Sequence, residues 1–263
     1  MKKIIILILF ILLAILIYVG SDIEQFEEEK YTAIIVEPRK HAALEMVLQN
    51  FTSILDSRWE FIIFHGTKNE EYVKKIVNEK LGDNKNRIKY VNLGVENLTI
   101  ADYNALFFDK HKLYDHIHTE MFLAFQTDTL LSEKYKEYIY DFMKYDYVGA
   151  PWDYNTAPFN INGHVGNGGL SLRKKSKMLE IIEKCPDTRK AEDVYFAFGC
   201  DGAPVNKPSF DDALNFSVET ALNPNNKSFG IHKPWDKFDD NQLKSLSEYI
   251  PQVYELKQKQ NSE

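Results

Sequence analysis

From residue 31 onward the chain alternates short apolar runs with amphipathic stretches. YTAIIVEP (31–38) is a compact β-branched run closed by a proline, the pattern of a buried strand. HAALEMVLQNFTSIL (41–55) spaces its apolar positions at the helical period, and WEFIIFHG (59–66) reads as a second strand ending at Gly66. NEEYVKKIVNEKL (69–81) reads as a second amphipathic helix with Asn69 placed to cap it, and RIKYVNL (87–93) as a third strand. Strand, helix, strand, helix, strand is the order of a parallel α/β sheet. Ligands of such sheets gather outside the carboxyl ends of the strands. Glu37-Pro38-Arg39 and His65-Gly66 fall there.

The middle of the chain is less regular. IADYNALFFDKHKLYDHI (100–117) predicts one or two helices, and TEMFLAFQTD (119–128) a buried strand that runs into a polar quartet. EKYKEYIYDFMKY (133–145) predicts a helix, DYVGAPW (146–152) a strand and turn, and KKSKMLEIIEK (174–184) a helix after the glycine-rich GHVGNGGLSLR. AEDVYFAF (191–198) predicts a short helix, KSFGIHKPW (227–235) a last strand, and the Gln- and Lys-rich residues 254–263 a frayed tail.

Ahead of this pattern, residues 4–19, IIILILFILLAILIYV, carry no charge, follow Lys2 and Lys3, and precede Asp22, Glu24, Glu27, Glu28 and Glu29. With Gly20 the run makes a helix of about 25 Å at 1.5 Å per residue, a short membrane span. It lacks an amphipathic stripe and is longer than an ordinary signal-peptide core. The expectation is one uncleaved N-terminal transmembrane helix, with cleavage near Val19-Gly20-Ser21 as the alternative. The two lysines favour a cytosolic N-terminus. The predicted organisation is a tail and signal-anchor over 1–20, a short acidic stem over 21–30, a folded domain over 31–250 and a polar tail over 251–263. Residues 4–20 would meet the lipid bilayer, and the folded domain would lie on the lumenal or extracytoplasmic side.

Composition narrows the function classes. The 263 residues are 44% hydrophobic and 13% aromatic, enough for a large core, and a net charge of -7 disfavours a nucleic-acid partner. The two cysteines, Cys185 and Cys200, have no CxxC spacing and exclude a zinc ribbon; a disulfide and two free thiols both remain open. Sequons stand at Asn50, Asn97, Asn215 and Asn226, and glycosylation at Asn50 or Asn97 would report a lumenal domain.

Four constellations carry chemistry. In QTDTLL, Asp128 at a strand end suits a hard divalent cation that shares its shell with phosphates; the alternative is a helix cap. In GHVGNGGLSLR, Gly166, Gly168 and Gly169 allow close backbone approach to a ligand, or simply a bend at a strand start. The run is neither a Walker A loop nor G-x-G-x-x-G. In AEDVYF, Glu192 and Asp193 either complement a helix dipole or supply a catalytic carboxylate with a neighbour that perturbs it. In FGIHKPW, His232 is a core histidine or a ligand better suited to manganese than to magnesium, and Lys233 could meet a phosphate.

VEPR, FQTDTLL, DYVGAPW, GNGGLSLR, EDVYF and FGIHKPW, in this order over roughly residues 31–240, resemble the motif series of a family of candidate glycosyltransferases. That family is catalogued as a domain of unknown function, with members in microbes and large DNA viruses. It is similar to metal-dependent glycosyltransferases of the GT-A fold. The resemblance implies an α/β, Rossmann-type, mostly parallel sheet flanked by helices. It implies transfer of a sugar from a nucleotide donor, a UDP-sugar foremost, to a hydroxyl of a glycan, glycoprotein or glycolipid, with Mn2+ or Mg2+. Asp128 matches the second acid of the family's Asp-x-Asp, and Gln126 stands at the first, where it brings no charge but would hydrogen-bond a ribose or sugar hydroxyl of the donor. His232 would complete the metal shell. Asp193 would be the base, with Glu192 as runner-up, and the reaction would invert the anomeric centre. Glu37, Arg39, Lys233, Trp152 and the run Gly166-Asn167-Gly168-Gly169 would line the donor and acceptor. A metal-dependent hydrolase or phosphotransferase and a membrane-tethered glycan-binding module are the rival readings.

Overall fold

A computed structural model describes residues 29–155, 163–186 and 191–261. The predicted strand–helix alternation is present. β1 (Tyr31–Glu37), α1 (Leu44–Ile54), β2 (Trp59–His65), α2 (Glu70–Lys80) and β3 (Ile88–Asn92) follow each other, and β1, β2 and β3 pair in parallel. α3 (Ile100–Phe108) leads to β4 (Met121–Phe125), which lies parallel to β1 on its other side. Then come β5 (Thr129–Leu131), α4 (Tyr138–Asp141), β6 (Tyr147–Gly149) and β7 (Leu170–Lys174). The main sheet has the order β3-β2-β1-β4-β7-β6, with β7 antiparallel to both of its neighbours.

Every residue of β1 and β4 is buried, because helices cover both faces of the sheet. Alternate positions of β1 serve different cores. Ala33 and Ile35 pack with Leu48 and Phe51 of α1, whereas Ile34 and Val36 pack with Phe107 of α3 and, from the helices that follow β7, Ile181 and Phe196. Those helices are α5 (Lys175–Lys184) and α6 (Glu192–Phe198). α7 (Phe210–Ala213) and β8 (Ser217–Val218) precede β9 (Gly230–His232), and β5, β9 and β8 form a separate three-stranded sheet in that order.

Several expectations change. The helix expected over 133–145 contracts to α4, and of the one or two helices expected over 100–117 one is present, ending at Phe108 and followed by a 3-10 turn at Tyr114–His116. The expected frayed tail is instead helical. After α8 (Asp240–Ser247), α9 (Val253–Gln260) buries Val253 and Leu256, and Gln260 Nε2 donates to the Thr127 carbonyl at 2.7 Å. Two apolar positions in a polar sequence were enough to dock it. Asn69 does stand at the start of α2, but its side chain does not cap the helix. It accepts from the Gly66 amide and donates to the carbonyls of Glu37 and Arg39, each at 2.8 Å, stitching together the ends of β1 and β2. Asn50 is buried and exchanges two hydrogen bonds with the Leu131 backbone, so the folded chain cannot present it for glycosylation; the Asn97 side chain is exposed. The expected membrane anchor lies outside the described residues, among which no helix is long and apolar enough to cross a membrane.

Cys185, at the end of α5, and Cys200, just after α6, form a disulfide across a separation of 15 residues. Closing a loop of that length restrains the unfolded chain by about 3 kcal/mol. Replacing both cysteines by serine is expected to lower the unfolding midpoint by roughly 6–12 °C for a chain of this size. Thermal unfolding of wild type and double variant checks this, and equal midpoints would contradict it.

Candidate active site

A cleft of about 560 Å³ opens at the carboxyl ends of β1 and β4. At the end of β1, the Arg39 backbone amide and Nε donate to Glu37 Oε1 and Nη2 donates to Oε2, each at 2.9 Å. Both residues line the cleft, but the Glu37 carboxylate is committed to Arg39. The Arg39 side chain is half-exposed and that of Glu37 is buried.

At the end of β4 the chain turns through Gln126–Thr129, where the Thr129 Oγ1 donates to the Gln126 carbonyl at 2.6 Å. Gln126 Nε2 donates to the Tyr103 hydroxyl at 3.0 Å, so the residue at the first acidic position is tied to α3. The small sheet then sets the geometry. β5 pairs antiparallel with β9 so that Thr129 faces His232, and β8 pairs parallel with β9 so that Val218 faces Ile231. Asp128 precedes β5, His232 ends β9 and Glu219 follows β8, so three ionisable side chains emerge side by side. Asp128 Oδ1 lies 3.3 Å from His232 Nε2, and Glu219 Oε1 lies 3.3 Å from His232 Nδ1. Neither contact has hydrogen-bond geometry: Asp128 Oδ1, both ring nitrogens and Glu219 Oε2 are buried without a hydrogen-bond partner.

Burial opposes charge on Asp128, yet the imidazole beside it holds its carboxyl below the ordinary value. Burial likewise opposes a charged His232, and the two carboxylates outweigh it, lifting the imidazole well above its usual range. Asp128 and His232 also fit a divalent ion. Two ligands about 2.1 Å from an octahedral ion and at right angles to each other stand about 3.0 Å apart. The 3.3 Å between Oδ1 and Nε2 is close to that spacing. Among the described residues no group of three or more His, Cys, Asp or Glu side chains suited to a metal is present. A divalent ion held here would take two ligands from Asp128 and His232, leaving the rest of its shell to other groups.

The glycine run explains itself by crowding. A Cβ on Gly169 would overlap the His232 ring, and one on Gly168 would lie 2.7 Å from both Asp193 Cβ and Glu192 Oε1. Asn167 Oδ1 accepts from the Gly169 amide at 2.9 Å and holds the turn into β7. Asn167, Gly168 and Gly169 line the cleft. Gly166 does not; it packs against Ala197 of α6 and the Trp152 ring. Trp152 is buried there, stacked on Phe198 at 6.5 Å between ring centroids, and so is a packing residue outside the cleft. Lys233 is also outside: its ammonium pairs with Asp236 at 3.0 Å, while its amide donates to the Asp128 carbonyl from a left-handed backbone (φ 44°).

The acidic pair divides into two roles. Glu192 meets Arg173 through two contacts, Nη1–Oε2 at 2.5 Å and Nη2–Oε1 at 3.0 Å, with both side chains buried. The guanidinium also lies against the rings of Phe107 and Tyr147, and Nε donates to Ser171 Oγ at 2.8 Å. Burial opposes charge on Arg173, and the Glu192 carboxylate outweighs it. Both oxygens of Glu192 are thus occupied, which removes it as a base. Asp193 faces the cleft, accepting from the Val194 amide at 2.7 Å and the Gly168 amide at 3.3 Å. Burial raises its carboxyl above the ordinary value. Gly168 lies against Asp193 and Gly169 against His232; consecutive Cα atoms are about 3.8 Å apart, so the Asp193 and His232 parts of the cleft share one turn.

Sequence reasoning missed Glu219, Arg173, Tyr103 and Gln260. Arg173 alone carried a signal, as a cation inside the apolar strand LSLR. The other three depend on register and docking that no local pattern encodes.

These features define an α/β protein with a mostly parallel six-stranded sheet, one antiparallel strand and a polar cleft at the strand ends. The chain belongs to the family described as protein of unknown function DUF5672, whose model matches residues 87–232, more than half of the sequence. Solved structures of similar fold include the galactosyltransferase LgtC in complex with donor and acceptor sugar analogs, at 14% identity and a TM-score of 0.52, covering 86% of this chain and 94% of that one. The glycosyltransferase GlyE of Streptococcus pneumoniae TIGR4 matches at 14% identity and a TM-score of 0.50, over 89% of this chain and 64% of its own. The bifunctional glycosyltransferase WbbM matches at 11% identity and a TM-score of 0.51, over 90% of this chain and 53% of its own. The fold is therefore of the GT-A kind. No curated protein matches the sequence.

Removing one partner of a buried ion pair costs about 3–5 kcal/mol, whereas replacing both with apolar groups costs far less. Arg173→Met should lose stability in that range in chemical denaturation, and Arg173→Met/Glu192→Met should regain most of it. A Glu192→Gln variant of unchanged stability but without activity would contradict this assignment.

Proposed function

We propose that this chain is a divalent-metal-dependent glycosyltransferase that moves a sugar from a nucleotide donor, a UDP-sugar foremost, to a hydroxyl acceptor with inversion. The observation that carries the reading is the convergence of Asp128 and His232 with Asp193 in one cleft at the strand ends of a GT-A-type sheet. The solved relatives in fold that are glycosyltransferases support it by analogy.

Asp128 Oδ1 and His232 Nε2 would hold the ion, and Arg39, oriented by Glu37, would meet the donor's phosphates or nucleoside. A divalent ion bound there would offset the negative charge that develops on the departing nucleoside diphosphate. Asp193 accepts the acceptor hydroxyl proton as the new C–O bond forms and the bond to the diphosphate breaks. Its two backbone hydrogen bonds fix the carboxylate's orientation, and its partial burial raises its basicity. The Gly168 amide is positioned to keep that carboxylate over the turn that also touches His232.

The chain's place in the cell belongs to the same proposal: a type II membrane anchor over 4–20 with the cleft on the extracytoplasmic side. The Cys185–Cys200 disulfide suits an oxidising compartment. In a glycosylating host, Asn97 is expected to carry a glycan and Asn50 none.

Asp193→Asn is expected to lower kcat by about 10²–10⁴-fold while donor binding persists. A base must be deprotonated, so activity should fall as pH drops through a carboxyl pKa above the ordinary aspartate value, and the variant should lose that acid limb. Asp128→Ala should abolish manganese-dependent transfer. Assay of the full chain with Mn2+ and nucleotide-sugars, with the product anomer read by NMR, checks all three. Retained configuration would overturn Asp193 as a direct base, and free sugar released without acceptor would point to a hydrolase.

A further inference from the structure

We infer that Glu219 is the carboxylate that orients His232 for the divalent ion, a positioning residue behind the ligand pair. The inference rests on the metal reading of Asp128 and His232 given above. An imidazole binds a cation through one nitrogen only when the proton sits on the other, and that proton needs an acceptor. Nε2 is the nitrogen on the side of Asp128 and Gly169, both of which line the cleft. Nδ1 points the opposite way, and 3.3 Å from it lies Glu219 Oε1.

Glu219 does not line the cleft, and its side chain is 15% exposed. It reaches His232 from behind because β8 and β9 run in parallel register, Ser217 against Gly230 and Val218 against Ile231, which places the residue after β8 beside the last residue of β9. The imidazole stands between the two carboxylates. Glu219 therefore cannot share with Asp128 an ion held by Nε2, and a direct-ligand role is excluded by position. A carboxylate with one buried, unpartnered oxygen, Oε2, beside a buried histidine is costly as mere packing. With the ring proton on Nδ1, Glu219 is the carboxylate acceptor beside it, 3.3 Å away, and the Nε2 lone pair is left on Asp128's side.

The test is a double-mutant cycle on Mn2+ affinity, read from the EPR signal of free Mn2+ with the full chain, with Mn2+ alone and with added UDP or GDP. Glu219→Ala should weaken binding about 10–100-fold. Glu219→Gln, whose amide oxygen still accepts from Nδ1, should weaken it less; it also carries the test should the alanine variant fail to fold, as judged by thermal unfolding in EDTA. In a His232→Ala background, Glu219→Ala should change affinity by less than about twofold, because an orienting residue has nothing left to orient. Affinity unchanged in Glu219→Ala would overturn the inference, as would an equal loss in both backgrounds, which marks a merely structural role. Wild type that binds no Mn2+ with either nucleotide would overturn the metal reading itself, a failure distinct from the first two.

Discussion

The register of three short strands is the constraint on which the site depends. β5, β9 and β8 contribute three, three and two residues. A one-residue slip in any pairing would turn the side chains to the other face. In the observed register, Asp128 becomes a neighbour of Glu219 and His232, which lie more than 90 residues further along the sequence. A sheet this small has little stability of its own. It is held by what surrounds it: Asn50 of α1 clamps the Leu131 backbone of β5, Lys233 donates to the Asp128 carbonyl, and Gln260 at the end of α9 donates to the Thr127 carbonyl.

The second support is the buried pair beneath Asp193. Arg173 sits in β7, at the centre of the antiparallel part of the main sheet, and its guanidinium ties Glu192, the first residue of α6, to that strand. Asp193 is the next residue and so inherits a fixed direction into the cleft. Gly168 and Gly169 let these two assemblies meet, since a side chain at either position would strike Asp193 and Glu192 on one side or His232 on the other. The disulfide from α5 to the end of α6 restrains the same helix from its far end. The cleft is thus a seam between two parts, the small sheet with its charged trio and the β7–α6 corner with its carboxylate.

The frame was readable from the sequence because its signals are local. Apolar runs and helical periods over residues 31–93 identify β1 to β3 and their helices to within a few residues. The motifs QTDTLL, GNGG, EDVYF and FGIHKPW were enough to bring most of the cleft together. What escaped was non-local. Glu192 and Asp193 are adjacent and chemically alike, and only the position of Arg173 tells them apart. Glu219 follows a two-residue strand too short to leave a pattern. Trp152 and Lys233 sit within motifs of the site but do not line the cleft: one packs behind Gly166 and the other pairs with Asp236. The polar C-terminal segment looked like a tail because its two buried residues, Val253 and Leu256, are thinly spread among lysines and glutamines.

The central claim, that one divalent ion is shared by Asp128 and His232 through Nε2, is tested most directly by pulsed EPR of Mn2+ bound to the full chain with UDP. The account predicts an electron–nuclear coupling from a directly bound imidazole nitrogen that disappears in His232→Ala. Bound Mn2+ without that coupling, or with a coupling that survives loss of His232, would contradict it.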